Sequence, residues 1–429
     1  MEINHLYDLF LESKAISTDS RSIIPGCIFF ALKGDNFNGN HYAPEAIEKG
    51  ARIALVDEDP TYPHPQIIKV DHVLHTLQQL ARYHRLRAGI PVLAITGSNG
   101  KTTTRELCKA VLSVKFRTSA TVGNLNNHIG VPLTLLAMDE TIEFGIVEMG
   151  ANHAGEIRLL CDIALPDYGL ITNVGKAHLE GFGSIQGVAL AKGELFTYLV
   201  QNGKTIFANQ GNSYIRQLVP NDYPRLLWYN GKDGPEVESS GGDPFLRMRI
   251  RHGNRMLQVS TRMLGTYNAE NVLAAWCVGR HFEIADSAIE KAVREYQPQN
   301  NRSQLVETGR NRIFMDAYNA NPSSMYVVIN EFLQFRGPNK LLILGEMREL
   351  GDSSGQEHES IIGYLKNQGV KNVICVGNAF LQSALKNGYK YAETTDQLIA
   401  WLSANPLRDH FILIKGSRSN QLEKLIPLL

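Results

Sequence analysis

Residues Val92-Leu93-Ala94-Ile95-Thr96 form an unbroken apolar run that feeds into Thr96-Gly97-Ser98-Asn99-Gly100-Lys101-Thr102-Thr103. The run predicts a buried strand, and the residues after it put Leu107, Ala110, Val111 and Val114 on one helical face. Strand, glycine loop and helix in this order predict a parallel α/β sheet with an anion-binding turn at its edge. Gly97 and Gly100 let backbone amides approach phosphate oxygens, and the helix N-terminus adds partial positive charge. Lys101 can reach the terminal phosphates and Thr102 can hold magnesium, while Ser98, Asn99 and Thr103 complete the cradle. The general G-x-x-x-x-G-K-[ST] pattern asks for glycine at 95, where this chain has Ile95.

At about 150 residues per domain, 429 residues correspond to roughly three domains. Residues 1–86 alternate short apolar runs with Gly- and Asn-rich turns and end in a helical stretch near Val73 to Tyr83, which suits a small α/β domain. Residues 87–299 read as a central parallel-sheet domain with strands at 92–96, 144–148 and 168–172. Within it, residues 201–263 read as a decorating antiparallel hairpin region, from the alternation Leu246-Arg247-Met248-Arg249-Ile250-Arg251. Residues 300–429 start a third, Rossmann-like α/β series with strands at 312–315, 340–344, 372–376 and 411–414. Lys plus Arg, 43, equal Asp plus Glu, 43, so the chain lacks the positive field that nucleic-acid binding needs. No apolar stretch approaches the roughly 18 residues of a membrane span, and Met1-Glu2-Ile3-Asn4-His5 does not resemble a signal peptide. A cytoplasmic protein without a membrane span is the expectation. Cys27, Cys108, Cys161, Cys277 and Cys375 show no Cys-x-x-Cys spacing and read as reduced, buried thiols.

Ligands of open parallel sheets gather beyond the carboxyl ends of the strands. Glu148 ends one expected strand and His178 follows another, which brings both toward the phosphate loop, where a metal-bound triphosphate needs ligands. Taken singly, Glu148 also reads as a capping or solvated carboxylate and His178 as a satisfied loop residue. Lys192 shares a helical face with Val188, Ala189, Leu195, Phe196 and Leu199. A lysine there either snorkels to solvent or loses its charge, and a neutral amine can take up carbon dioxide as a carbamate able to ligate magnesium.

These residues resemble the Mur ligases of peptidoglycan synthesis, and specifically the MurF type. The resemblance rests on the phosphate loop and on Gly123-Asn124-Leu125-Asn126-Asn127-His128-Ile129-Gly130-Val131-Pro132. It also rests on Glu148-Met149-Gly150-Ala151-Asn152-His153, His178-Leu179-Glu180-Gly181-Phe182-Gly183-Ser184 and Ala191-Lys192-Gly193-Glu194. Asp316-Ala317-Tyr318-Asn319-Ala320-Asn321-Pro322 and Lys415-Gly416-Ser417-Arg418 extend it to the C-terminal domain. It implies an ATP-dependent ligase that adds D-alanyl-D-alanine to UDP-N-acetylmuramoyl-tripeptide through an acyl phosphate, with UDP bound by the N-terminal domain and ATP by the central one. It further implies two magnesium ions held by Thr102, Glu148, His178 and a carbamylated Lys192, with Lys101, Lys192, His178 and Glu148 carrying the chemistry.

For the nucleotide, the resemblance implies Asn268 and Asn271 near adenine, Arg302 near the phosphates and Asp316 near the ribose. Tyr267 stands where many relatives have His, and Glu346 where Asp is common. Ser20 and Arg21 would contact the UDP end, against a plain turn with a solvated ion pair. Asn126, Asn127, Tyr318, Asn319 and Asn321 would face substrate. Lys415, Ser417 and Arg418 would build the acceptor side, against a surface basic cluster. A monomer is expected. MurE or folylpolyglutamate synthase is the rival within the same chemistry, and a phosphate-loop switch without a ligation product is the rival outside it. Lys101→Ala is expected to abolish turnover; ATP-dependent amide formation retained by that variant would remove Lys101 from the phosphate role.

Overall fold

The computed structural model describes residues 1–59, 63–176, 179–220, 222–232, 234–299 and 301–429. Strand Val92–Thr96 lies fourth in a parallel six-stranded sheet ordered 226–229, 205–209, 168–171, 92–96, 144–148, 118–120. Every residue of 92–96 and 144–148 is buried, as expected for a parallel sheet covered on both faces. From 92–96 the chain adds strands on one side, 118–120 and 144–148, then crosses to the other, 168–171 and beyond. Such a reversal opens a crevice at the strands' carboxyl ends. The Gly97 loop and Glu148 both emerge at this edge.

Helix Lys101–Leu112 buries Thr104, Leu107, Cys108 and Val111, a repeat of three and four residues that aims one face inward. It packs on helix Ala269–His281. A Cβ on Gly279 would lie 2.5 Å from Val111 Cγ1, so the close approach of the two helices depends on that glycine.

Residues 201–263 depart from the hairpin expectation. Thr205–Asn209 and Leu226–Tyr229 extend the central parallel sheet, and Ile206, Phe207 and Ala208 are fully buried. A strand buried on both faces has no polar alternation to reveal it. The antiparallel part is a separate three-stranded sheet of 236–241, 245–252 and 255–264.

The N-terminal unit holds a parallel sheet ordered 16–17, 28–30, 53–56, 67–69. Helix Val73–Ala88 follows and ends at Gly89, whose φ of 63° gives a left-handed cap. Leu77, Leu80 and Ala81 of this helix join one apolar core with Val92, Val147, Ile171 and Phe196 of the central unit. Arg85 reinforces the junction by donating to the carbonyls of Ala164 and Leu165, each at 3.1 Å, and to Asp167 at 2.6 Å.

The C-terminal sheet runs 304–307, 312–316, 411–415, 341–345, 373–376, 390–392. It is parallel except for the edge strand 304–307, which pairs antiparallel with 312–316. Its two faces form cores of their own, and Leu264 from the three-stranded sheet enters one of them. All five cysteines are buried and free. Among the described residues, no helix is long and apolar enough to cross a membrane. Leu80→Ala, at a fully buried position shared by two units, is expected to cost about 2–5 kcal/mol, read as a lower denaturant midpoint for the N-terminal and central units.

Candidate active site

The crevice deepens into a cleft of about 1470 Å³ between the central and C-terminal units. Ser98 to Thr103 line it, together with Asn126, Asn127, Glu148, Asn268, Asn271, Arg302, Asp316, Tyr318, Asn319, Lys415 and Arg418. Residues from widely separated stretches of sequence thus meet on one surface.

The phosphate loop is held from below by the segment after strand 168–171. Asn173 accepts from the Asn99 N–H at 3.0 Å and its amide donates to the Asn99 carbonyl at 3.0 Å. The Ser98 N–H donates to the Asn173 carbonyl at 3.0 Å, and Ser98 Oγ exchanges hydrogen bonds with Gly175. Gly97 has a φ of 147°, and a Cβ there would collide with Thr172 Oγ1, so only glycine fits this turn. The helical ladder begins with the Thr104 N–H donating to the Gly100 carbonyl at 2.8 Å. The N–H groups of Lys101, Thr102 and Thr103 therefore stand outside the ladder, at the positive end of the helix. Lys101 Nζ donates to the Gly97 carbonyl at 2.7 Å. Burial pushes its pKa down, and the neighbouring Glu148 carboxylate opposes that shift.

Glu148 is 2% exposed. Its Oε2 accepts from Thr102 Oγ1 at 3.0 Å and from Arg105 Nη1 at 3.1 Å, and its Oε1 accepts from Asn126 Nδ2 at 2.9 Å. A carboxylate taken out of water needs such hydrogen bonds in place of the water it loses. Lys192 is fully buried on helix Ile185–Gln201, among the apolar neighbours its helical face predicts. Its Nζ lies 5.7 Å from the Phe182 ring centroid and has no hydrogen-bond partner among the described residues. Burial, with help from the Lys101 charge, lowers its pKa to about 7, so it does not snorkel. His178 lies outside the described residues. Among those described, no group of three His, Cys, Asp or Glu side chains could cage a metal ion.

Beside the phosphate-loop helix, Asn268 and Asn271 are buried and bonded to each other at 2.9 Å, and Asn271 also accepts from Thr104 Oγ1 at 3.1 Å. Tyr267 bonds Ser303 Oγ at 2.7 Å, and burial raises its pKa well above the usual phenol value. The Arg302 guanidinium stacks 3.7 Å from the Tyr318 ring centroid, and Arg418 approaches the same ring at 5.5 Å. Asp316 accepts from the Ser303 N–H at 3.0 Å and from Lys415 Nζ at 2.7 Å. Lys415 is 1% exposed. It is the buried counter-ion of Asp316, which corrects its alternative reading as part of a surface basic cluster.

Ser417, Asn321, Ser20 and Arg21 lie outside the cleft lining. Ser417 is buried and accepts from the Arg348 N–H at 3.1 Å, outside the cleft lining. Asn321 caps helix Pro322–Gln334 and donates to Asn99 Oδ1 at 2.8 Å, so it touches the phosphate loop. Ser20 and Arg21 sit in a turn away from the cleft lining, and Arg21 pairs with Asp19 at 2.6 Å with its side chain 86% exposed. The sequence reading passed over Asn173 and Arg105. Asn173 follows a strand end just as Glu148 does, and that position was a usable signal; the Arg105 contacts join distant segments and leave no local pattern.

Residues 12–85 match the catalytic domain of the Mur ligase family, 95–279 the Mur ligase middle domain, and 301–418 the Mur ligase glutamate ligase domain. The chain is 34% identical to the UDP-N-acetylmuramoyl-tripeptide--D-alanyl-D-alanine ligase of Bacillus subtilis, over 96% of this chain and 92% of that one. It is 33% identical to the ligase of the same name from Escherichia coli, over 97% and 93%. A crystal structure of MurF from Acinetobacter baumannii superposes with a TM-score of 0.88 at 27% identity, covering 99% of this chain and 97% of that one. MurF from Thermotoga maritima in complex with ADP has the same fold, with a TM-score of 0.85 at 24% identity, covering 98% and 97%. With three consecutive domain matches and full-length relatives of one kind, the chain belongs to the Mur ligase family, in its MurF branch.

Proposed function

We propose that this chain joins D-alanyl-D-alanine to UDP-N-acetylmuramoyl-tripeptide at the expense of ATP, forming UDP-N-acetylmuramoyl-pentapeptide, ADP and phosphate in cytoplasmic peptidoglycan precursor synthesis. The names of its full-length relatives supply the reaction. The observation that carries the reading is the cleft in which the phosphate loop, Glu148 and the polar residues of the C-terminal unit converge.

A carboxylate resists an amine because it is already an anion and lacks a leaving group. Transfer of the γ-phosphoryl group to the tripeptide's terminal carboxylate, with ADP leaving, gives an acyl phosphate. The amine of D-alanyl-D-alanine then attacks the acyl carbon, phosphate departs, and the amine's proton is lost to solvent or a base. The free N–H groups of Lys101, Thr102 and Thr103 receive the polyphosphate, and Lys101 exchanges the Gly97 carbonyl for a phosphate oxygen. Asn268 and Asn271 lie toward the base, Asp316 toward the ribose, and Arg302 toward the phosphates. Asn126, Asn127, Tyr318, Asn319 and Arg418 surround the reacting ends. Holding the reactants in line can remove about 7–11 kcal/mol of barrier. Contact of the C-terminal unit with the loop, through Asn321 and Asn99, helps exclude water from the acyl phosphate.

The donor set fits magnesium. Thr102 Oγ1 and Glu148 already lie 3.0 Å apart, and a hard cation with one protein carboxylate completes its shell with phosphate oxygens and water. The orphaned Lys192 amine fits a carbamate, since carbon dioxide would turn an unpartnered buried base into an anion beside Lys101. Thr102, Glu148, His178 and carbamylated Lys192 would hold two magnesium ions, which when bound neutralise charge developing on the transferred phosphoryl group.

Lys192→Ala is expected to lower turnover by roughly 10²–10³-fold, on the scale of a lost electrostatic contact, with partial recovery in added short carboxylates. Full activity of that variant without them would end the carbamate reading. For the reaction itself, phosphate release is followed with D-alanyl-D-alanine, diaminopimelate, lysine and glutamate in turn, with mass spectrometry of the UDP-linked product. A UDP-linked pentapeptide formed with D-alanyl-D-alanine alone is the expected result. ATP turnover without any ligated product would overturn the reading.

A further inference from the structure

Arg105 is a buried cation to which the reaction scheme gives no task. It lies one turn beyond Lys101 on the same helix and is 1% exposed. Its Nη1 donates to Glu148 Oε2 at 3.1 Å and to the Gly123 carbonyl at 3.2 Å, and its Nη2 pairs with the Glu106 carboxylate. On the other side of Glu148, the Asn126 amide donates to Oε1 and the Asn126 carbonyl accepts from the Gly150 N–H at 2.8 Å. Residues 123–126 are therefore fastened to one carboxylate twice, directly by Asn126 and through Arg105 from Gly123.

The same loop reaches the N-terminal unit two residues later. The His128 carbonyl accepts from Gln78 Nε2 at 3.0 Å, on the helix that follows the N-terminal sheet. Tight packing fixes its course: a Cβ on Gly130 would collide with the Leu125 backbone, and one on Gly150 would press on the Asn126 amide. Charge alone does not account for an arginine at 105, because a lysine would supply the same charge. A planar fork is what reaches two carboxylates and a carbonyl together.

We propose that Arg105 is a positioning residue that couples the loop of residues 123–128 to the Glu148 carboxylate, so that seating of the muramyl peptide and orientation of Glu148 beside the phosphate loop become one event. The proposal rests on the function proposed above, together with the expectation that the N-terminal domain binds the UDP end of the muramyl peptide. It assigns to a residue of the phosphate-loop helix an effect on the seating of the muramyl peptide.

The test compares Arg105→Lys, Arg105→Met and Asn126→Ala with the parent enzyme. KM and kcat are measured for each of the three substrates, with the rise in melting temperature caused by UDP-N-acetylmuramoyl-tripeptide without ATP as a readout independent of turnover. Arg105→Lys is expected to melt near the parent, to raise the muramyl KM by about tenfold, and to lose most of the ligand-induced thermal shift. Its KM values for ATP and D-alanyl-D-alanine stay within about twofold. Arg105→Met goes further in the same direction, so that lysine counts as a partial rescue; should the methionine variant fail to fold, the lysine variant decides alone. Equal rises in all three KM values, or a lower melting temperature with unchanged KM values, overturn the proposal. If Asn126→Ala raises the muramyl KM and Arg105→Lys does not, the coupling alone is wrong. If neither variant changes it, the loop is not on the muramyl side and the reading of the cleft falls as well.

Discussion

A carboxylate taken out of water must be surrounded by donors or give up its charge, and this requirement at Glu148 organises the rest of the site. The donors that meet it come from two distant parts of the chain: Thr102 and Arg105 from successive turns of the phosphate-loop helix, and Asn126 from the loop before helix Gly130–Leu136. Satisfying one anion thus brings together the phosphate loop, the strand 144–148 and the loop at residues 123–128. The position of Glu148 follows from the sheet, because strand 144–148 lies beside strand 92–96 where the winding reverses.

Lys192 has the opposite character. It is as thoroughly buried as Glu148 but finds no partner among the described residues. An amine in that state is depressed toward neutrality, and Lys101 nearby adds to the effect. One buried anion fully satisfied and one buried base left without an acceptor is the asymmetry expected of a centre that gains further charged components during its reaction cycle.

Much of this was legible in local sequence. The phosphate loop, the burial of Lys192 and the strand-end position of Glu148 follow from glycine spacing, helical periodicity and the edge rule for parallel sheets, and the structure places all three in agreement. Strand 205–209 was missed because burial on both faces leaves no alternation to read, and strand 226–229, half-buried at three of its four residues, shows only the continuous apolar run Leu226-Leu227-Trp228-Tyr229. Lys415 was open to a wrong reading, since nothing near it in sequence shows that Asp316, 99 residues away, takes its charge. Arg105 and Asn173 act through contacts of the same long-range kind. Residue types announce chemistry, whereas pairing across the fold depends on topology.

The N-terminal and central units share a continuous apolar core, whereas the cores of the C-terminal unit are built mostly from its own residues, joined by Leu264 and Tyr267, and its contacts beside the phosphate loop are polar, such as Asn321 to Asn99, and Lys176 to Glu357 at 3.2 Å. Polar junctions between units part more readily than fused hydrophobic ones. Compliance is therefore distributed unevenly: the fused core of the first two units makes the stiffer body, and the seam with the C-terminal unit is the softer one.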